Sequence, residues 1–202
     1  MKAGRQAGFT LIEMAVVITI IALLISTILG GQALLRSGET QDIIGMSKDL
    51  SAAVQLFKQR YRYLPGDFPV DQANPEIPNV SMACRIGGAG AGNGDGQISS
   101  AESACAVEHL IRAEFTRGDP VTGFRTRFGT EVRLIAASDA TANVGGFPAS
   151  VINLVEMADI PCGEAMDVVR KLDTGALQTG TRVRASIAAC ANGNVPFLAF
   201  AL

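Results

Sequence analysis

Hydrophobic positions along this chain change their period at about Arg36. From Met14 to Leu29 the run MAVVITIIALLISTIL is almost wholly aliphatic, and between Gln6 and Leu35 the one ionisable side chain is Glu13. Beyond Arg36, apolar residues return at three- and four-residue spacing through Ile43, Met46, Leu50, Ala53, Val54, Phe57 and Tyr61. Glu39, Asp42, Lys48, Asp49, Lys58 and Arg60 fall on the other faces. The first pattern predicts a helix that is apolar all round, the second a helix buried along one stripe. Unbroken from Phe9 to about Tyr61, that helix would be roughly 80 Å long, far more than packing in a small domain needs. Tyr63-Leu64-Pro65-Gly66-Asp67 ends it, because Pro disfavours helix at the residue before it and Gly accepts the turn that follows.

Residues 68–100 are rich in Pro, Gly, Asn and Asp and read as a long loop that needs stapling. Helical spacing resumes over Glu102–Phe115, with His109 inside it. Four segments then read as strands: Glu131–Ala137, part of Ser150–Met157, Arg182–Ala189 and Val195–Leu202. A short helix is expected over Cys162–Lys171, followed by turn signals at Leu172-Asp173-Thr174-Gly175 and Thr179-Gly180, where Asp173 is a turn-former. The fold class expected is α+β, a long N-terminal helix on a small antiparallel sheet. The expected divisions are a leader at 1–8, the helix at 9–62 with its membrane part at 9–30, and an exported head at 63–202.

From Phe9 to Leu29 a helix rising ~1.5 Å per residue reaches about 30 Å, the thickness of a bilayer's hydrocarbon core. Lys2 and Arg5 precede it and the next basic residue is Arg36. The positive-inside tendency therefore puts the N-terminus in the cytoplasm and the rest of the chain outside. A secretory signal peptide fits poorly, since the run is too long and no A-x-A-like site closes it. A plain anchor leaves Glu13 unexplained, because a carboxylate in hydrocarbon costs about 2.5–3.5 kcal/mol. Cutting just before Phe9 would create an α-amine four residues from Glu13 and offer that carboxylate a cation from its own or a neighbouring subunit.

Composition narrows the functions. Of 202 residues, 17 are basic and 19 acidic, and the formal charge is −2. No broad basic surface is available for a phosphate backbone, and nucleic acid is not an expected partner. Arg112, Arg117, Arg125, Arg127 and Arg133 share one region, but acids lie among them and a solvated face is the better reading. Mean hydropathy is +0.28 although aromatic residues make up only 5%, so the excess apolarity is aliphatic and sits in the N-terminal run. One His and no C-x-x-C pair remove the common zinc and redox arrangements, and every His-based triad would pass through His109. No nucleophile or acidic cluster is spaced to meet it. An enzyme is not expected.

Gly8-Phe9-Thr10-Leu11-Ile12-Glu13, behind the basic leader MKAGRQAG and ahead of the aliphatic run, resembles the N-terminal signature of type IV pilins and type II secretion pseudopilins. Tyr63 through Asp67 resembles the segment that follows the long helix in many of them, and Leu-Asp-x-Gly before Gly-x-x-Val-Arg adds a modest likeness near the C-terminus. The resemblance implies a pilin-like fold and cleavage after Gly8 by a prepilin peptidase. It also implies methylation of Phe9 and docking of subunits through Glu13 into a helical filament. Partners would be other filament subunits, an inner-membrane assembly platform and a separate ATPase, since no G-x-x-x-x-G-K-[ST] loop occurs here. The protein would sit in the bacterial inner membrane with its head in the periplasm, then in a surface pilus or periplasmic pseudopilus. The alternatives are a pseudopilin rather than a pilus subunit or, in a different class, a membrane-anchored exported enzyme or binding domain.

Two further features lie in the head. Asn93-Gly94-Asp95-Gly96-Gln97-Ile98, with Glu102 following, resembles the second half of an EF-hand loop: Asn93, Asp95, Gln97 through its carbonyl, and Glu102 take ligand positions. Ala91 stands where the first Asp belongs. Some pseudopilins hold calcium in a head loop, so the resemblance implies a structural Ca²⁺, completed by Asp67 or other loop oxygens; the competing reading is a tight turn leading into the next helix. Cys84, Cys105, Cys162 and Cys190 all fall in the exported part, and an even count there implies two disulfides. Three pairings are open. Cys84–Cys105 across the Gly-rich loop is favoured, with Cys162–Cys190 across the region that many pilins staple.

Overall fold

The computed structural model describes residues 10–73, 75–140, 144, 146–173, 175–190 and 193–202, and of residues 29–33 the backbone alone. Helix α1 covers Leu11–Tyr61 and α2 Ser103–Arg112, with a 3-10 turn at Met82–Cys84 between them. The strands β1 Phe124–Arg125, β2 Glu131–Ala136 and β3 Asn153–Pro161 follow, then α3 Cys162–Leu172, β4 Val183–Ala185 and β5 Asn194–Ala201. All strand pairings are antiparallel, in the order β1-β2-β3-β5-β4. The protein is α+β with a long N-terminal helix. Its internal contacts divide it into two units, one ending at Gly38 and one of Glu39–Leu202.

In the first unit, Leu11–Ile28 has a mean hydropathy of 2.6 and is long and apolar enough to cross a membrane. No residue of this window is buried within the protein, and Leu11, Ile18, Leu23 and Ile28 are all exposed. The apolar surface is therefore left for lipid or for other chains.

In the second unit, the α1 stripe is the core face. Ile43, Leu50, Val54 and Phe57 are buried in one cluster with Leu110 of α2 and with Leu134, Met157 and Leu198 of the sheet. The helix ends as its sequence dictates: Arg62 takes a φ of 67° and its N–H bonds the Lys58 carbonyl at 2.9 Å, an αL cap. Gly66 then needs a φ of 86°, and a Cβ there would stand 2.8 Å from the Glu102 carbonyl oxygen. The Pro-Gly turn thus lies flush against the start of α2.

The sheet departs from the sequence pattern at three places. β1 is an extra two-residue edge strand, too short to show a period, formed where Thr126 and Thr130 close a turn through main-chain and hydroxyl bonds. β3 runs on to Pro161, past the expected end at Met157. β4 is shorter than Arg182–Ala189. Its pairing stops at Ser186, whose N–H bonds the Phe197 carbonyl but whose hydroxyl, in place of its carbonyl, takes the Phe197 N–H in return, while that carbonyl accepts from the Gln178 side chain. The outer N–H groups of Val183 and Ala185 go to Asp173 Oδ2 and the Leu177 carbonyl. That connection covers the β4 edge against strand addition.

Candidate functional site

Gly8 and Phe9 lie outside the described residues. The first described residue, Thr10, makes a capping box with Glu13: the Thr10 N–H and hydroxyl each donate to Glu13 Oε2 at 2.8 Å, and the Glu13 N–H reaches back to Thr10 Oγ1 at 3.3 Å. The T-x-x-E spacing that announces this box is legible in the sequence, yet Thr10 was no part of the expected site. Both bonds to the carboxylate fall on Oε2. Glu13 itself is exposed, on a helix window that is apolar and unburied.

Of the four residues expected to hold calcium, Asn93, Asp95 and Glu102 turn side-chain oxygens to the amides of the loop, while the Gln97 side-chain oxygen lies 3.5 Å from the Ser138 hydroxyl. Asn93 Oδ1 accepts the Asp95 N–H at 2.9 Å, and Asp95 Oδ1 the Gln97 N–H at 2.8 Å. Glu102 is buried and spreads its carboxylate between the N–H groups of Asn93 (3.2 Å) and Ser99 (2.8 Å). Asp67, from the turn after α1, accepts from Gly94 at 2.6 Å, Asp95 at 3.0 Å and Gly96 at 2.8 Å. Among the described residues, no group of three or more His, Cys, Asp or Glu is placed to hold a metal ion. The donor set around Asp67 consists of N–H groups, which suits an anion and not a cation, so these residues as arranged do not fit Ca²⁺. Burial pushes the Asp67 carboxyl above its usual range; the three amides pull it down and the Glu102 carboxylate adds to the rise. Asn153 opens β3 and pins the same loop, accepting from the Ile98 N–H at 2.8 Å and donating to the Gly96 carbonyl at 3.0 Å.

Cys84 and Cys105 are disulfide-bonded, joining the 3-10 turn to α2, and Cys162–Cys190 joins the first residue of α3 to the segment before β5. Glu108 of α2 reinforces the first bridge by accepting the Ser81 N–H (2.6 Å) and hydroxyl (2.7 Å).

His109 is fully buried. Its ring stacks on Phe57 of α1 with centroids 6.1 Å apart, and its Nδ1 accepts the Gly66 N–H at 3.1 Å. The proton therefore sits on Nε2, which meets the Cys84 main chain without reaching hydrogen-bond geometry. Burial lowers the imidazole to about 4, the Cys84 contact pulling the other way. His109 thus acts as a neutral wedge between α1, the Pro-Gly turn and α2.

A linkage effect follows. Above pH 6.5 the histidine is neutral in both folded and unfolded chains. Between 6.5 and about 4 only the unfolded chain takes up the proton, so stability falls as pH falls. At about 1.4 kcal/mol per unit, roughly 3 kcal/mol is lost across that window. Denaturant midpoints measured from pH 7 to 5 should drop for the natural chain and stay flatter for His109→Asn, which keeps an acceptor for Gly66; equal slopes would refute the assignment.

Of the five clustered arginines, four are committed within the protein. Arg127 pairs with Asp42 at 2.7 Å, Arg133 with buried Glu156, Arg112 with Glu108 at 3.8 Å, and Arg125 donates to the Gly129 carbonyl. They do not form a free basic face. The cleft between α2 and β2 is lined by Ser100, Ser103, Thr122, Glu131 and Arg133 among others, and His109 is not part of it.

The functional signal is therefore concentrated at the N-terminus, in the Thr10–Glu13 box and the exposed apolar helix behind it. No curated protein and no solved structure matches the chain. The prokaryotic N-terminal methylation motif does match, at residues 4–29, across that same segment. This chain carries the signature of the type IV pilins and pseudopilins.

Proposed function

We propose that the protein is a structural subunit of a type IV pilus-like filament. Prepilin peptidase cuts it between Gly8 and Phe9 and methylates Phe9. The inner membrane holds the trimmed chain by Leu11–Ile28 until that helix moves into the filament core. The observation that carries this reading is a methylation motif at residues 4–29 laid over a helix whose whole apolar surface is unburied. Packing many such helices in parallel removes that surface from water without a bilayer. Glu13 then meets the new α-amine of Phe9, in its own or an adjacent subunit, where the low dielectric strengthens the pair. Assembly draws on a separate ATPase and a membrane platform; this chain does no chemistry of its own.

Tyr63-Leu64-Pro65-Gly66-Asp67 favours the pseudopilin as the second reading, with the filament confined to the periplasm. Intact mass spectrometry of filaments sheared from native cells separates the cases. A methylated species starting at Phe9, about four hydrogens heavier after reduction of the two bridges, establishes a pilus subunit. The same trimmed species confined to the cell fraction establishes a pseudopilin or scarce minor subunit, and an intact Met1 leader removes both readings in favour of an anchored domain.

A further inference from the structure

We propose that the amides of Gly94, Asp95 and Gly96 form a carboxylate-binding nest that Asp67 fills, so that the head loop closes on an internal anion and takes no cation. Successive N–H groups in a turn of alternating hand make a concave surface of positive partial charge, which is an anion receptor. Here Gly94 and Gly96 have φ of 78° and 85° on either side of Asp95, and all three amides point at one carboxylate at 2.6–3.0 Å. The main chain adds a fourth tie, from the Gly94 N–H to the Asp67 carbonyl at 3.1 Å. Gly92 is needed because a Cβ there would collide with the Asp67 main chain.

The calcium-loop pattern is thus reused with its polarity inverted. Ala91 removes the first ligand of a cation loop. The carboxylate that arrives instead comes from the turn after α1, and its oxygens are already met by hydrogen-bond donors. Glu102 repeats the arrangement at the start of α2, its two oxygens taking the Asn93 and Ser99 amides. The Asn93 side-chain amide donates to Asp95 Oδ2 at 3.1 Å, a donor where a cation would require an acceptor. The nest ties three segments together: the stop of the long helix, the Gly-rich loop and, through Glu102, α2.

The test is thermal unfolding of the full chain in detergent micelles, in millimolar CaCl2 and in EDTA, for the natural protein and Asp67→Asn. The expected result is one midpoint for the natural protein in both buffers. Asp67→Asn should melt roughly 3–10 °C lower in both, because an amide sets its own donors against at least one of the three N–H groups. A calcium-dependent rise of roughly 5–10 °C in the natural chain would mean a cation site and overturn the proposal. Asp67→Asn melting with the natural protein would overturn it as well. Should the variant fail to fold, the calcium comparison on the natural chain still decides.

Discussion

Glu13→Val is expected to leave the head folded and the chain in the membrane while removing the protein from sheared filaments. The substitution deletes a carboxylate whose burial in hydrocarbon costs about 2.5–3.5 kcal/mol, so insertion as an anchor becomes easier, not harder. In the proposed filament, what it removes is the partner for the α-amine of Phe9. Losing one side of a charge pair in a water-free environment costs about 3–5 kcal/mol, or roughly 10²–10⁴ in the docking equilibrium of each subunit. The Thr10–Glu13 box fixes the carboxylate at the start of the helix through two bonds to Oε2. Quantifying the protein in shear and membrane fractions distinguishes the outcomes. Glu13→Val filaments at natural abundance would reduce the N-terminal helix to an anchor.

Where local pattern decides the structure, the sequence could be read. The stripe from Ile43 to Phe57 is the buried face of α1, and Pro65-Gly66 ends it because neither residue continues a helix and Gly66 alone tolerates the contact with α2. Helix α3 and strand β5 lie close to where their spacing places them. What could not be read depends on contacts between distant residues. Asp67 is named by the sequence as a candidate to complete the loop, but that its carboxylate is met by amides 27 to 29 positions away is announced by no local spacing. The burial of His109 depends on Phe57 and Gly66 arriving from another element, so a lone histidine on a helix gave no sign of its role as a wedge. The early end of β4 depends on the Ser186 hydroxyl taking the Phe197 N–H of the neighbouring strand, visible only once register is known. At the N-terminus the reverse holds: the motif at residues 4–29 is local and legible, because adjacent residues of one segment carry it and it needs no contact with distant ones.

Removing both disulfides should cost the head most of its stability. In the loop-closure account, a bridge acts by restricting the unfolded chain, and separations of 21 and 28 residues correspond to about 3.3 and 3.6 kcal/mol. Together they approach about 7 kcal/mol, against a total of 5–15 kcal/mol for a typical domain. The head leans on these bridges because residues 68–100 contribute little regular structure of their own. Their apolar contribution to the core, Val70, Ile77, Val80 and Ile98, is held by cross-links and by side chains that cap loop amides. Cys84→Ala with Cys105→Ala, and Cys162→Ala with Cys190→Ala, should each lower the melting temperature by roughly 7–14 °C. Because the two loops are nearly equal in length, the two variants should melt within about 2 °C of each other. A large inequality would show that the native-state contacts, not the unfolded chain, set the effect: Glu108 still grips Ser81 when the first bridge is gone, whereas the second bridge is backed by the Cys162 N–H on the Gly193 carbonyl. The fourfold alanine variant is expected to be degraded in the cell, and its recovery at natural levels would mean that the core cluster of α1, α2 and the sheet suffices without covalent help.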